Sequence, residues 1–190
     1  YYDKFRNRLM FPFHNLSGRI IGFGGRRLNE DDNPKYLNSP ESKIYKKGEI
    51  LYGLYQAIPA IRDKNVVILV EGYFDLLRLV NTGIEKVVSL SENGLTENQG
   101  RLLKRYTSNV IISYDSDEAG LKAAIRNSDI LESLDLHVSI IQIPIPHDPD
   151  SYILEAGKKA YFDLLKNKKN PFDVRIQKFF IDYPNPTLDQ

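Results

Sequence analysis

The stretch from Val110 to Gly120, VIISYDSDEAG, constrains this chain more than any other. Val110, Ile111 and Ile112, followed by Ser113 and Tyr114, make a short β-prone run that leads straight into Asp115 and Asp117. A small-residue turn then opens a helical pattern at Leu121-Lys122-Ala123-Ala124. In an open parallel sheet, ligands sit outside the carboxyl ends of the strands. Asp115 and Asp117 are two residues apart, so in extended backbone both carboxylates point the same way. Two such charges repel, and one is pushed towards protonation unless a cation lies between them. A hard, oxygen-seeking divalent ion such as Mg²⁺ suits that position. A solvated acidic loop is the plainer reading of a lone Asp-x-Asp, and the other strand ends decide between the two.

They supply matching acids. Val66-Val67-Ile68-Leu69-Val70 is a continuous apolar run, as expected of a strand buried on both faces. It ends in Glu71-Gly72-Tyr73-Phe74-Asp75, with Leu76, Leu77, Leu79 and Val80 continuing at helical spacing. Glu71 stands at the strand end, and Asp75 follows one helical turn along on the same side. Residues 138–143 form a further strand that passes through Pro144 and Pro146 into His147-Asp148-Pro149-Asp150. Three apolar strands each delivering carboxylates at the C-terminal end are hard to explain by chance.

The order of elements supports an α/β class. Strands are predicted near 66–70, 86–90, 110–114 and 138–143, and helices near 73–82, 95–106 and 118–133, which is the alternation of a parallel sheet. Thr96 and Gln99 fit a capping box. Beyond Asp150 the chain turns helical, with Ser151 as the expected N-cap and Tyr161, Phe162, Leu164 and Leu165 as a packing stripe. Residues 166–170 read as a basic linker and 173–181 as an amphipathic helix. The chain divides into residues 1–57, 58–150 and 151–190.

The first of these parts reads as a small mixed α+β unit. Residues 5–13 and 20–28 flank a turn at 14–19 and predict a β-hairpin. Gly22-Phe23-Gly24-Gly25 lacks the G-x-G-x-x-G spacing and precedes no helix, so its glycines mark a bulge or a close backbone approach, not a dinucleotide loop. Residues 34–41, bracketed by Pro34 and Pro40, look extended, and 51–57 form a short helix. Residues 1–50 carry ten Lys/Arg against six Asp/Glu, while 51–190 carry sixteen against nineteen. A basic front beside an acidic pocket suits a polyanion held by one part and metal held by the other. Arg, Lys and Tyr interleaved on extended segments also suit a phosphate backbone with stackable bases, although a solvated basic surface explains the same pattern.

Composition adds bounds. With 190 residues and 42% hydrophobic content, the chain can bury a real core. No cysteine is present, which excludes disulfides and thiolate zinc sites within it and fits a reducing compartment. No run approaches the roughly 18 apolar residues of a membrane helix. The chain begins at Tyr1 without Met, as expected of a fragment of something longer.

Glu71-Gly72-Tyr73-Phe74-Asp75 together with Tyr114-Asp115-Ser116-Asp117-Glu118-Ala119-Gly120 resembles the Toprim signature, the metal-binding unit of primases, topoisomerases and some nucleases. Residues 5–12, 18–26, 34–41 and 47–54, with His147-Asp148-Pro149-Asp150, narrow the resemblance to the bacterial DnaG-type DNA primase core, over roughly residues 2 to 155. The resemblance implies a Toprim-type parallel sheet flanked by helices, preceded by a small basic mixed α+β subdomain and followed by a short helical segment. It implies a cytoplasmic RNA polymerase that makes primers on single-stranded DNA from ribonucleoside triphosphates, using Mg²⁺ or Mn²⁺. Glu71 would be the essential acid near the reacting phosphate. Asp115 and Asp117 would bind metal, with Asp75, Asp148 and Asp150 completing or supporting the ion sites. Arg26, Lys35, Tyr36 and Lys47, with Arg6 and Arg8, would track template, primer and incoming nucleotide. The family's cysteine-rich zinc module and helicase-binding tail, which would recruit further partners, have no counterpart here.

Two departures stand out. Ser91-Glu92-Asn93 replaces a usual Gly-Thr pair after the second strand and adds a carboxylate near the expected site, and Ser116 replaces a usual Gly. Competing readings are a Toprim nuclease, a topoisomerase lacking its strand-cleaving tyrosine motif, and a non-catalytic nucleic-acid-binding module.

Overall fold

The computed structural model describes residues 3–90 and 94–184. Ser91, Glu92 and Asn93, together with residues 1–2 and 185–190, lie outside the described residues. The chain opens with β1 (Arg8–His14) and β2 (Ile20–Arg27), an antiparallel hairpin in which Leu9 faces Arg26 and Pro12 faces Phe23. The extended segment expected over 34–41 contributes a third strand, β3 (Tyr36–Asn38), which pairs with β2 and sets Tyr36 beside Arg26.

The helix expected over 51–57 is α1 (Leu54–Lys64), shifted along the chain. Its start is set by Gly53 and its end by Asn65, both left-handed (φ 80° and 45°). There follow β4 (Val67–Val70), α2 (Tyr73–Asn81), β5 (Val87–Ser89), α3 (Glu97–Lys104), β6 (Asn109–Ile112), α4 (Glu118–Glu132) and β7 (His137–Ile140). These strands form a four-stranded parallel sheet in the order β5-β4-β6-β7.

Alternation along each strand divides the core into two layers. Val67 and Leu69 face Ile61 of α1, Leu103 of α3 and Leu131 of α4, whereas Ile68 and Val70 face Leu76 and Leu79 of α2 and Tyr161 of α5 (Pro149–Lys166). A third cluster, Phe11, Phe13, Tyr45 and Tyr73, joins the hairpin to α2.

Three sequence expectations need correction. The last parallel ladder ends at Ile112 opposite Ile140, so β7 stops short of residue 143. The chain continues towards Pro144, which has no N–H to donate to a ladder. The N-cap of α5 is Asp148 and not Ser151. Asp148 Oδ1 accepts the Ser151 N–H at 2.7 Å, Ser151 Oγ accepts the Asp148 N–H at 3.1 Å, and Pro149 occupies the first helical position. Residues 166–170 are more than a linker, because Lys169 exchanges two 2.8 Å backbone hydrogen bonds with Ile140 and covers the edge of β7. Asn170 then caps α6 (Pro171–Asp182). The divisions expected at 57/58 and 150/151 fall inside α1 and α5. Among the described residues, no helix is long and apolar enough to cross a membrane.

Candidate catalytic and metal centre

β4 and β6 are neighbours at the centre of the sheet, but the chain leaves β4 towards β5 on one side and returns as β6 on the other. Their carboxyl ends therefore flank the point where the winding reverses, where crevices form in open sheets. Glu71 follows β4, Asp115 follows β6, and Asp148 follows the segment after β7.

Local chemistry holds each of them. The Glu71 carbonyl accepts from Ser89 Oγ at 3.0 Å, and the Glu71 carboxylate takes the backbone N–H of Asp115. Ser116 N–H donates to the His147 carbonyl at 3.1 Å and ties the loop after β6 to the loop before α5. Asp117 Oδ1 accepts the Gly120 N–H at 2.7 Å as the N-cap of α4. A Cβ on Gly120 would collide with the Asp115 carbonyl, so glycine is what lets this turn close over Asp115. A cleft of about 190 Å³ lies between Asp115, Ser116, Asp117, Ile145, Pro146, His147 and Asp148.

The acids raise one another. Burial, then the neighbouring Asp115, pushes the Glu71 carboxyl up to about 7. Burial, then Asp148 and Asp115, pushes Asp75 up to about 7. Asp115 is raised by burial and by Asp148 and Asp117, with Lys35 pulling the other way. Carboxylates forced together out of water resist ionisation unless a cation joins them.

Not all six expected ligands are equally available. Asp75 Oδ2 accepts the Gly72 N–H at 3.0 Å and closes the start of α2, and Asp75 Oδ1 accepts the Asp150 N–H at 3.1 Å and ties α2 to α5, so both its oxygens are engaged. Asp150 Oδ1 takes the Arg78 guanidinium at 2.6 Å. Among the described residues, no three Asp, Glu, His or Cys side chains already stand as a closed ion cage. The donor set nonetheless fits a hard divalent ion: it is all carboxylate oxygen, with Glu71, Asp115 and Asp148 half-buried, and like charges crowd there.

The expected basic residues fall into two groups. Arg26 lies 4.3 Å from the Phe74 ring centroid and 5.9 Å from that of Tyr36, and Lys35 lies 5.8 Å from the Tyr36 ring. Lys35 acts electrostatically on Asp115, and the Tyr36 phenol feels Arg26, Asp75 and Asp148, with burial raising it most. Lys35 and Tyr36 therefore lie within electrostatic reach of the acids, and Arg26 stands beside Tyr36. Arg8 is turned elsewhere: its guanidinium donates to the Pro34 carbonyl at 2.8 Å and braces the hairpin against the loop before β3. Arg6 precedes β1, and Lys47 opens a 3₁₀ turn at Lys47–Glu49 whose backbone is bound by Gln99 Nε2 at 3.1 Å.

Sequence reasoning missed Phe74, the shelf under Arg26, and Arg126, whose guanidinium packs on Gly94 and acts on Glu71. Phe74 reads as one more apolar helix position, and Arg126 reaches Gly94 only because α4 crosses beside that loop. Arg78 was legible as a base three residues after Asp75, but its partner on α5 was not.

Comparison with known proteins agrees with this arrangement. Residues 1–58 match the family described as DNA primase catalytic core, N-terminal domain, and residues 68–153 match a Toprim-like family. A DNA primase from Clostridium acetobutylicum is 47% identical over 179 residues, covering 94% of this chain and 30% of that protein. The crystal structure of the Aquifex aeolicus primase, with its zinc-binding and RNA polymerase domains, superposes with a TM-score of 0.88 at 45% identity, over 93% of this chain and 44% of that one. A DnaG primase catalytic domain bound to single-stranded DNA superposes with a TM-score of 0.87 at 36% identity, over 100% of this chain and 59% of that one. The chain thus spans about a third of the length of the curated relatives it matches. It belongs to the bacterial DnaG-type DNA primases, carrying the N-terminal domain and the Toprim part of their catalytic core.

Proposed function

We propose that this chain is the catalytic part of a DNA primase, joining ribonucleoside triphosphates into short RNA primers on single-stranded DNA during replication. The observation that carries the reading is the facing of two surfaces: buried, mutually destabilised acids at the ends of β4 and β6, and Arg26, Lys35 and Tyr36 on the hairpin sheet across from them. Such a pair of surfaces can hold a polyanion over a cation site. A relative with single-stranded DNA bound supports the choice of template.

Glu71, Asp115, Asp117 and Asp148 would hold divalent metal, with Mg²⁺ the expected ion and Mn²⁺ able to substitute. Asp75 and Asp150 would set the position of the helices that carry them. When bound, the metal supplies a primer 3′-hydroxyl of lowered pKa and neutralises charge on the α-phosphate and the leaving pyrophosphate. The residues of the chain do the positioning. Glu71 stands nearest the reacting phosphate, pinned through Ser89 and the Asp115 amide. Lys35 and Arg26 hold phosphate oxygens, and Tyr36 offers a ring edge to a base. Arg6, Arg8 and Lys47 extend the basic track, Arg8 by fixing the hairpin's shape.

The parts divide by task, with 1–57 binding nucleic acid, 58–150 carrying the reaction and 151–190 supporting it. In the full-length protein, which would act in the cytoplasm, a zinc module and a helicase-binding segment would add start-site choice and recruitment.

The test is ribonucleotide addition on single-stranded DNA, with and without a pre-annealed primer, in Mg²⁺ or Mn²⁺. Native chain is compared with Asp115→Asn and Glu71→Gln. Extension by the native chain alone, with DNA binding retained by all three, is the expected result. Equal binding and no extension by any of them, even in the full-length protein, would reduce the chain to a binding module.

A further inference from the structure

The sheet face covered by α1, α3 and α4 is apolar along its length and turns polar at its carboxyl edge. Val67 and Leu69 of β4 pack in that layer with Val110 and Ile112 of β6, so alternation puts Glu71 and Tyr114 on the same face. Leu69 pairs with Ile112, and the Ser113 N–H donates to the Leu69 carbonyl at 2.9 Å, which brings Glu71 and Tyr114 next to each other across the two strands. Tyr114 is buried, and its hydroxyl accepts from Asn127 Nδ2 at 2.7 Å. Asn127, on α4, is 0% exposed, and its Oδ1 accepts the Leu95 N–H at 3.4 Å. A backbone N–H can only donate, which turns the amide oxygen to Leu95 and leaves the nitrogen for the phenol. Leu95 is held in turn, because the neighbouring Thr96 donates through Oγ1 to the Gly48 carbonyl at 2.6 Å. One buried amide therefore joins the end of β6 to the loop after β5, with α4 as its base.

We infer that Asn127, acting through Tyr114, is a positioning residue for the Glu71–Asp115 pair. This rests on the catalytic reading above and deepens it. Tyr114 immediately precedes Asp115, and the Asp115 N–H is the donor that pins the Glu71 carboxylate. Fixing the phenol at its far end steadies the backbone that carries both the Asp115 side chain and that N–H. A ring tied at its hydroxyl cannot tilt without breaking a buried hydrogen bond and leaving its partner unpaired. Asn127 lies wholly beneath the surface, so it reaches neither metal nor substrate, and its influence on the reaction passes through Tyr114.

The experiment uses the full-length protein and compares native with Asn127→Leu, Tyr114→Phe, the Asn127→Leu/Tyr114→Phe double variant and Leu131→Val, a packing change on the buried side of the same helix. Extension of a pre-annealed primer at saturating ribonucleotide and template is measured beside calorimetric titration of Mn²⁺ and thermal melts. Asn127→Leu and Tyr114→Phe should each lower kcat by roughly five- to twentyfold, with KM and template affinity within about twofold, the scale of a small misplacement of reacting groups. Each should also weaken Mn²⁺ binding by about threefold or more, because the carboxylates are no longer held in place for the ion. The double variant should stay within about twofold of the worse single variant, since the two residues act in series. Leu131→Val should lower the melting temperature but leave kcat and Mn²⁺ affinity within about twofold. Tyr114→Phe removes only the hydroxyl, and it decides the matter if Asn127→Leu melts too early to assay. Unchanged kcat in Tyr114→Phe, a loss confined to KM, additive losses in the double variant, or an equal loss in Leu131→Val would each overturn the inference. Neither extension nor Mn²⁺ binding by the native protein would overturn the catalytic reading, and this inference with it.

Discussion

The acid tip of the parallel sheet and the basic hairpin sheet face each other but are built on opposite principles. At the tip, regular structure does the placing: two central strands end side by side, and Asp75, Asp117 and Asp148 each bind helix N-terminal amides. Around them Glu71, Asp75 and Asp115 are crowded and drawn out of water, and burial with neighbouring carboxylates raises all three. On the hairpin, placement comes from cross-strand register and from aromatic shelves, with Arg26 opposite Tyr36 and over Phe74. Of those cations, Lys35 is exposed and Arg26 is half-buried. The first surface concentrates like charge that a cation would relieve; the second carries its cations on aromatic rings.

The largest effect that follows is on turnover. Asp115→Asn and Glu71→Gln should each lower primer extension by about 100- to 1000-fold, the scale of removing a group that stabilises transition-state charge. DNA affinity in filter binding should stay within about twofold. If either variant instead fails to bind DNA, the division of labour between the two surfaces is wrong.

Next, Arg26→Ala and Lys35→Ala should weaken template binding by about tenfold in fluorescence anisotropy. Each should also reduce the slope of log affinity against log salt by about one phosphate contact. Loss of turnover at saturating substrate, with affinity unchanged, would move these residues to the acid side of the comparison.

The pH response of the metal-free chain comes third. Glu71 and Asp75 have carboxyls raised to about 7 in the folded chain. Above the ordinary carboxylate range the folded state therefore holds more protons than the unfolded one, and stability falls as pH rises from about 4 through 7. In EDTA the melting temperature should drop by a few degrees between pH 5 and pH 8, and Mg²⁺ should restore it at pH 8 and do little at pH 5. A flat or rising profile in EDTA would show that the acids are relieved by something other than a metal.

The smallest effect sharpens the hairpin side. Phe74→Leu keeps the apolar volume of α2 but removes the ring beneath Arg26. It should cost about 0.5–1 kcal/mol of template affinity, roughly two- to fivefold, with turnover at saturation unchanged.

Much of the fold could be read because its determinants are local. Val67–Val70 and Val110–Ile112 are continuously apolar, as strands buried on both faces are, and Thr96 with Gln99 announces α3 by a capping box that the structure contains. The errors lie where a distant segment intervenes. Asp148 caps α5 in place of Ser151, although it was expected as a metal ligand, because a short acid serves both purposes and sequence does not rank them. Lys169 became a sheet-edge residue because Ile140 was there to pair with it.

For the site the same line holds. The sequence alone determined which carboxylates stand at strand ends, because a strand followed by a helix carries its own periodicity and its acids are written into the turn between them. Only the tertiary structure decided how those acids share their oxygens. Asp75 binding the Asp150 amide, Asp150 bound by Arg78, and Arg26 resting on Phe74 are contacts between residues tens of positions apart, set by how α2, α5 and the hairpin pack. Charge and hydrogen bonding act over a few ångströms of space, and no spacing along the chain encodes that distance.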